Sequence, residues 1–167
     1  MLVSQSEIID IVKKGQKSGK TFVVTNGCFD ILHVGHVRYL QKTKEFADFL
    51  IVMLNSDSSV KSIKGPDRPI NCEADRAEIL SSLRCVDYVV LFDEKSPAKL
   101  LGDIKPDVYT KGADYSLETL PERDAVLANN IRVEFIEFVQ GKSTTNVIKK
   151  IKSPIINLFN ENSSLFY

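Results

Sequence analysis

The chain contains two histidines, His33 and His36, and they lie on either side of Gly35. At the start of a helix, side chains three residues apart point to the same place, so both imidazoles can meet one ligand. Gly35 leaves room for a ligand to approach the backbone. Imidazole donates hydrogen bonds to developing negative charge without reacting covalently. Taken alone, the pair is also compatible with two partly buried structural histidines or with a surface metal site.

The segment before the histidines reads Asn26-Gly27-Cys28-Phe29-Asp30 and directly follows a predicted strand. In an open parallel sheet, ligands bind in the crevice at the carboxyl ends of the strands. The free N–H groups and the positive dipole of a helix start favour a phosphate group there. This context favours a phosphate-binding site over two structural histidines.

A second polar segment, Gly141-Lys142-Ser143-Thr144-Thr145, precedes a stretch of helical character near the end of the chain. Hydroxyl groups and backbone amides at a helix N-terminus also suit phosphates. Taken alone, the segment is equally compatible with a plain helix N-cap.

Short apolar runs alternate with segments of helical character along the chain. The runs rich in β-branched and aromatic residues predict strands at 21–25, 49–54, 88–92, 107–109 and 132–136. Helices are predicted at 4–18, 36–47, 73–83, 96–101 and 117–128, with a capping box of Ser4 and Glu7 at the first. We expect an α/β fold, with a Rossmann-like parallel sheet of about five strands and helices on both faces.

The composition excludes several classes of protein. With 22 Lys+Arg and 22 Asp+Glu among 167 residues, the net charge is zero, which argues against nucleic-acid and anionic-membrane partners. The three cysteines have no C-x-x-C spacing, so neither a disulfide framework nor a cysteine-held zinc site is predicted. The apolar runs are too short to span a bilayer, no signal peptide is predicted, and we expect a cytoplasmic protein. Residues 1–152 are expected to form one domain, followed by a tail at 153–167 of unknown role.

The two motifs resemble those of the H-x-G-H nucleotidyltransferases, which join a nucleoside monophosphate to a phosphorylated small molecule. Within that family the chain resembles bacterial heptose 1-phosphate adenylyltransferases, which occur alone or as the C-terminal part of a bifunctional heptose kinase. The matching segments are 25–40, 54–60, 64–71, 75–78, 85–90, 111–115 and 141–145. The chain departs from the usual family pattern at Ala113, where Gly is common, and at Lys142, where Arg is common.

The resemblance implies an adenylyltransferase that uses ATP and Mg²⁺. Such an enzyme joins AMP to D-glycero-D-manno-heptose 1-phosphate, releases pyrophosphate and forms ADP-heptose for lipopolysaccharide. A homodimer is implied, and a separate heptose kinase is expected in the pathway. A CTP-dependent cytidylyltransferase acting on glycerol 3-phosphate or a similar alcohol phosphate is one alternative. An inactive nucleotide-binding regulator is another.

The resemblance also implies roles for individual residues. His33 and His36 are expected to contact the triphosphate, and Lys44 to extend along the helix toward it, unless Lys44 is a solvated surface residue. The nucleophile is a phosphate oxygen that is already anionic, so Cys28 is not expected to act as one. The residues expected around the nucleotide are Asn26, Gly27, Cys28, Phe29, Gly35, Lys111, Gly112, Asp114, Gly141, Ser143, Thr144 and Thr145.

The connection at 55–72 is predicted to be a long functional or mobile loop. Its cations Lys64 and Arg68 match family positions that bind phosphate. Asp30 is interpreted either as a contact to the sugar phosphate through Mg²⁺ or as a turn cap, and Arg76 is also expected to hold this loop. The residues expected around the sugar phosphate are Asp30, Asn55, Asp57, Lys64, Arg68 and Arg76.

Overall fold

The computed structural model describes residues 1–137 together with Thr144, Val147, Ile148 and Ile151. Its strands are β1 (Leu2–Val3), β2 (Phe22–Gly27), β3 (Phe49–Asn55), β4 (Tyr88–Phe92), β5 (Val108–Gly112) and β6 (Arg132–Ile136). Its helices are α1 (Gln5–Lys17), α2 (Val34–Lys44), α3 (Asp57–Lys64), α4 (Glu73–Ser81), α5 (Ala98–Ile104) and α6 (Arg123–Ala128).

The strands form one sheet in which every hydrogen-bonded pair is parallel, in the order β1-β4-β3-β2-β5-β6. After β2 the chain proceeds to one side through β3 and β4, and β5 then pairs with the other side of β2. The boundary between β2 and β5 is therefore the topological switch point, where the carboxyl ends of parallel strands open a crevice.

Helices cover both faces of the sheet, as predicted. On one face, α1, α5 and α6 bury Ile8, Leu101 and Val126 in one core cluster. On the other face, α2 and α4 bury Leu40 and Leu80 in a second cluster. Successive strand residues point to opposite faces and both sets are apolar, which explains why the strands read as continuous hydrophobic runs.

The α/β class and the parallel sheet are confirmed, and the structure has six strands in place of about five. The additional strand, β1, is a two-residue strand at the sheet edge, too short to show a sequence period. The capping box at the start of α1 is also confirmed, because the Ser4 side chain accepts from Glu7 N and the Glu7 carboxylate accepts from Ser4 N.

The connection at 55–72 differs from its prediction as a loop, because it contains α3. Ser56 caps this helix through its hydroxyl oxygen, which accepts from Ser59 N at 3.2 Å. The helix has eight residues and three of them are serines, which are weak helix formers, so its sequence pattern is faint. Three predicted helix starts also move by two residues or more: α2 begins at Val34, α5 at Ala98 and α6 at Arg123.

Among the described residues, no helix combines the length and the apolar character needed to cross a membrane.

Candidate active site

Helix α2 begins at the carboxyl end of β2, and His33 is its N-cap. The backbone of His33 is extended, and its carbonyl oxygen accepts from His36 N at 2.9 Å and from Val37 N at 3.2 Å. With His36 in the first turn, the two imidazole rings stack, with centroids 3.8 Å apart and planes inclined by 19°. Gly35 lies between them in the same turn. The structure thus brings both imidazoles to one place, as their spacing predicts.

A buried hydroxyl cluster fixes α2 on the sheet. The Tyr39 hydroxyl lies 2.8 Å from Thr25 Oγ1 on β2 and 3.3 Å from Thr110 Oγ1 on β5. These groups are almost completely shielded from solvent. Because burial strengthens hydrogen bonds and penalises unpaired polar groups, the cluster sets the position of α2 relative to both strands. It thereby sets the position of the two histidines.

The loop between β2 and α2 packs an aromatic ring against the histidines. Phe29 has a positive φ of 42°, and its ring centroid lies 5.2 Å from that of His36 in an edge-on arrangement. A Cβ atom added to Gly27 would lie 2.8 Å from Phe29 Cε2. Glycine is therefore required at position 27, because any side chain there would collide with the Phe29 ring.

His36 is poised to respond to an anion. Burial and the neighbouring His33 lower the pKa of His36 to about 4, so the imidazole is neutral at pH 7. Its Nδ1 atom is buried and has no hydrogen-bond partner within the described part of the chain. A negative charge placed beside the ring would raise this pKa again.

A pocket of about 500 Å³ opens beside the histidines, at the carboxyl ends of the central strands. Its lining includes four cationic side chains and two carboxylates, so it favours anionic ligands. The residues predicted for the site that line it are Asn26, Gly27, Cys28, Phe29, Asp30, His36, Asn55, Lys64, Arg68, Lys111 and Thr144.

The second predicted motif reaches this pocket through Thr144. Its Oγ1 donates to the carbonyl oxygen of Ile31, at 3.4 Å, in the loop that leads to α2. The predicted residues Gly141, Ser143 and Thr145 lie outside the described residues, and so does the tail at 153–167.

Asp30 is buried, and its carboxylate is fully engaged with the 68–71 loop. Oδ2 accepts from Arg68 Nε and Nη2, both at 2.5 Å. Oδ1 accepts from the backbone N–H groups of Ile70 and Asn71, at 2.8 and 3.0 Å. A carboxylate with four donors has no oxygen left for another ligand, so in this structure Asp30 holds the 68–71 loop, a role that neither interpretation included.

Arg76 was expected around the sugar phosphate, and the structure contradicts that role. Its side chain is 1% exposed and its guanidinium donates to the carbonyl oxygens of Cys28, Asn55 and Asn71, at 2.6, 2.8 and 3.0 Å. It also donates to the Asp57 carboxylate at 2.8 Å. Asp57 is therefore a partner of Arg76 and does not line the pocket. The pair holds loops from β2, β3 and α4 together, which agrees with the loop-holding role expected of Arg76.

Lys44 was expected to reach the phosphates, and this prediction is wrong. Its ammonium group forms an ion pair with Asp87 Oδ2 at 2.6 Å and donates to the carbonyl oxygen of Asp48. Asp48 and Asp87 both precede strands, so Lys44 lies at the amino ends of the sheet, opposite the pocket. Lys44 does lie two turns after His36, but those two turns carry it away from the pocket, which lies at the N-terminus of α2.

A polar network that the sequence analysis missed forms one wall of the pocket. Lys111 Nζ lies 2.9 Å from Asn26 Oδ1, 3.1 Å from Tyr109 Oη and 3.2 Å from Glu122 Oε2. Burial lowers the pKa of Lys111, and Glu122 and Asp114 raise it. Tyr109 and Lys111 are two residues apart on β5 and therefore lie on the same face of the sheet, which could have been predicted from the sequence. Glu122 was hidden in a predicted helix.

Four other predicted residues, His33, Gly35, Gly112 and Asp114, are not among the residues that line the pocket. Gly112 ends β5, and Asp114 is exposed in the following turn. Two further lining residues, Lys95 and Ser96, follow β4 and were not predicted for the site. Lys95 adds a cation, and Ser96 Oγ lies 3.3 Å from Glu122 Oε1.

The Cys28 thiol lines the pocket but is not activated. Burial raises the pKa of Cys28, and this effect exceeds the lowering by Lys64 and Arg76. A protonated thiol is a poor nucleophile, so the arrangement does not favour covalent catalysis by Cys28. Within the described part of the chain, no group of three or more His, Cys, Asp or Glu side chains could hold a metal ion.

Comparison with known proteins assigns the family. The cytidylyltransferase-like family model matches residues 24–156. The chain therefore belongs to the cytidylyltransferase-like family of nucleotidyltransferases, and the resemblance seen in its two motifs is confirmed.

Individual relatives agree with this assignment. The bifunctional protein HldE of Campylobacter concisus is 53% identical over 151 residues, covering 90% of this chain and 31% of that protein. The bifunctional protein HldE of Geotalea uraniireducens is 52% identical over 143 residues, covering 86% of this chain and 29% of that protein. The chain thus spans less than a third of the length of these relatives.

A solved structure matches at the level of the fold. The crystal structure of the lipopolysaccharide core biosynthesis protein from Thermoplasma volcanium has a TM-score of 0.60 and 31% sequence identity to this chain. The match covers 74% of this chain and 100% of that protein chain.

Proposed function

We propose that this chain is a sugar-phosphate adenylyltransferase. It transfers AMP from ATP to D-glycero-D-manno-heptose 1-phosphate, releases pyrophosphate and forms ADP-heptose. The observation that carries this proposal is the stacked pair His33 and His36 at the N-terminus of α2, of which His36 lines a pocket with four cationic side chains and two carboxylates. Similarity to the bifunctional HldE proteins and to a lipopolysaccharide core biosynthesis protein supports a sugar phosphate of the cell envelope as substrate.

The reaction requires no protein nucleophile. An oxygen of the sugar 1-phosphate attacks the α-phosphorus of ATP, and the bond between that phosphorus and the oxygen bridging to the β-phosphate breaks. Pyrophosphate leaves with that oxygen and its electron pair. Because the attacking oxygen is already anionic, the chain contributes position and charge stabilisation.

The histidines and the helix start act on the nucleotide. The imidazoles of His33 and His36 and the free backbone N–H groups of the first turn of α2 meet the phosphates of ATP. As negative charge accumulates on the α-phosphate oxygens, His36 donates to them and its proton affinity rises. When ATP binds, the Thr144 hydroxyl exchanges its present acceptor, the Ile31 carbonyl oxygen at 3.4 Å, for an oxygen of the outer phosphates.

Cations from three elements hold the second anion. Lys64 ends α3, Arg68 is held by Asp30, and Lys95 follows β4. They screen the repulsion between the sugar phosphate and the triphosphate, which an uncharged pocket of this size would not do. Mg²⁺ would bind as part of the ATP substrate and would neutralise phosphate charge. The Asp30 carboxylate would not hold the ion, because its oxygens already accept from Arg68, Ile70 and Asn71.

The partners follow from the same proposal. The sugar must reach this site already phosphorylated at carbon 1, so a sugar kinase activity has to supply it. The family resemblance also suggests a homodimer, which a sedimentation measurement of the full chain tests directly.

The experiment that tests the function is pyrophosphate release in the presence of Mg²⁺, with ATP and CTP compared. The acceptor panel contains both anomers of D-glycero-D-manno-heptose 1-phosphate, other hexose 1-phosphates and glycerol 3-phosphate. We expect release with ATP and one heptose anomer. Release only with CTP and glycerol 3-phosphate would replace the substrates while keeping the mechanism. If the folded protein releases no pyrophosphate with any acceptor of the panel, the result would support a nucleotide-binding regulator instead.

A further inference from the structure

Four polar side chains meet at the switch point between β2 and β5: Asn26, Tyr109, Lys111 and Glu122. Tyr109 and Glu122 are 0% and 2% exposed, and the side chain of Lys111 is 13% exposed. The three hydrogen atoms of the Lys111 ammonium group match three acceptors, on Asn26, Tyr109 and Glu122. Because Tyr109 and Glu122 are buried and Lys111 has an acceptor for each of its hydrogens, the network holds one arrangement.

The network determines which way the carboxamide of Asn26 faces. Its Oδ1 accepts from Tyr109 Oη at 2.6 Å and from Lys111 Nζ at 2.9 Å. An ammonium group has only donors, so the opposite orientation would set the amide hydrogens of Asn26 against those of Lys111. The Nδ2 group must therefore face away from Lys111. Asn26 lines the pocket, so this side of the carboxamide is available to a ligand.

We propose that Glu122 is a positioning residue that acts through Lys111 to hold the Asn26 amide group as a hydrogen-bond donor to a phosphate oxygen of the bound nucleotide. The inference rests on the proposed function, because it requires a nucleotide in this pocket. Lys111 then serves as an internal support and leaves the phosphate contact to Asn26, which differs from the direct role expected from the sequence.

Charge explains why Glu122 is needed. A buried ammonium group tends to lose its proton, and burial does lower the pKa of Lys111. Glu122 opposes this effect most strongly, and the exposed Asp114 opposes it more weakly. The other ionisable groups facing Lys111 are the rings of Tyr109 and Tyr115, whose centroids lie 5.6 and 5.3 Å from Nζ. Without the Glu122 charge, Lys111 deprotonates at lower pH and no longer fixes Asn26.

Two substitutions separate this role from a general contribution to folding. Glu122→Gln keeps a side-chain oxygen near Lys111 and removes the charge. Asn26→Asp keeps an oxygen for Tyr109 and Lys111 and replaces the donor group with a second, anionic oxygen. Glu118→Gln is the matched control, because Glu118 is an exposed glutamate of the same connection and does not line the pocket.

The main measurement is ATP binding with Mg²⁺ by calorimetry, from neutral to alkaline pH, together with steady-state kinetics. For Glu122→Gln we expect about tenfold weaker ATP binding, the effect of one weakened hydrogen bond to a charged group. As pH rises, ATP binding by the variant should weaken further, and this weakening should begin at a lower pH than in the wild type. The KM for ATP should rise, and kcat should stay within about twofold of the wild-type value. Asn26→Asp should weaken binding at least about a hundredfold, since a donor becomes an anion facing phosphate.

A second measurement needs no ligand. The side-chain amide resonances of Asn26 in the free protein should shift or broaden in Glu122→Gln at alkaline pH and remain unchanged in Glu118→Gln. An unchanged Asn26 signal, or a parallel fall of kcat and thermal stability with no pH dependence, would overturn the positioning role.

The two proposals fail in different ways. If the wild-type chain binds and turns over ATP and the Asn26→Asp variant binds ATP equally well, only the inference is refuted. A wild-type chain that binds neither ATP nor CTP refutes the proposed function and, with it, the phosphate contact of Asn26.

Discussion

The imidazole rings of His33 and His36 stack on each other at the N-terminus of α2, with their centroids 3.8 Å apart. Burial imposes a desolvation penalty on a charged His36 ring, and the neighbouring His33 adds a smaller repulsion. The pKa of His36 is therefore about 4 while the site holds no anion. A polyanion placed beside the His36 ring would raise this pKa and favour the charged imidazolium.

The first prediction concerns stability against pH. The pKa of His36 falls from an ordinary value of 6.5 in the unfolded chain to about 4 in the folded one. Between these values the unfolded chain binds a proton that the folded chain does not, so stability falls as pH falls through this window. Urea unfolding in phosphate-free buffer should show a smaller decline for His36→Gln than for the wild type. Equal slopes for the two proteins would contradict the low pKa.

The second prediction concerns the histidines in turnover. His33→Ala and His36→Ala should each lower kcat by about a hundredfold or more, the usual effect of losing a donor to the transition state. Circular dichroism and thermal unfolding should show that both variants keep the fold. Val34→Ala is the matched control, because Val34 lies between them on an exposed face of the same turn. Full activity in both histidine variants would remove them from the site.

The sheet and the histidine pair could be predicted because their signals are local. The central strands β3 and β4 are nearly continuous apolar runs, and the cap and first turn of α2 lie within a few residues of β2. The sequence spacing of His33 and His36 translates directly into a shared position, since three residues make nearly one helical turn.

The errors concern residues whose partners are distant in the sequence. Arg76 donates to the carbonyl oxygen of Cys28, and Lys44 forms an ion pair with Asp87. The sequence near each cation does not indicate that partner. The direction of α2 also mattered, because a residue two turns beyond His36 moves toward the amino ends of the strands. Glu122 became visible only when the fold placed it against Lys111.

The third prediction concerns Arg76 as the link between three loops. Arg76→Ala should destabilise the chain by about 3–5 kcal/mol, because it leaves the carboxylate of Asp57 and buried carbonyl groups without their donor. Denaturant unfolding measures this directly. Arg84→Ala, at an exposed arginine in the segment after α4, should change stability by no more than about 0.5 kcal/mol. A loss below about 1 kcal/mol for Arg76→Ala would mean that water replaces these contacts.

The fourth prediction concerns Asp30 and the 68–71 loop. Asp30→Asn removes the ion pair with Arg68 and places amide hydrogens against backbone donors or the guanidinium. We expect the KM for the sugar phosphate to rise about tenfold and the KM for ATP to rise less, since the loop carries Arg68 toward the second anion. Asp67→Asn, at an exposed carboxylate in the same connection, should leave both KM values unchanged. Equal increases in both KM values for Asp30→Asn would show that Asp30 supports the whole pocket and not this loop alone.

The fifth prediction concerns Lys44, which the structure removes from the site. Lys44→Met should leave kcat and both KM values within about twofold, because its ammonium group is bound to Asp87 at the opposite end of the sheet. Stability should fall by about 1 kcal/mol, as for a partly exposed ion pair. Lys42→Met, at a more exposed pair with Glu45 on the same helix, should have a smaller effect on stability. A tenfold loss of kcat at unchanged thermal stability would contradict this prediction. It would mean that Lys44 takes part in catalysis, because the loss of an ion pair at the amino ends of the strands cannot by itself affect the reaction.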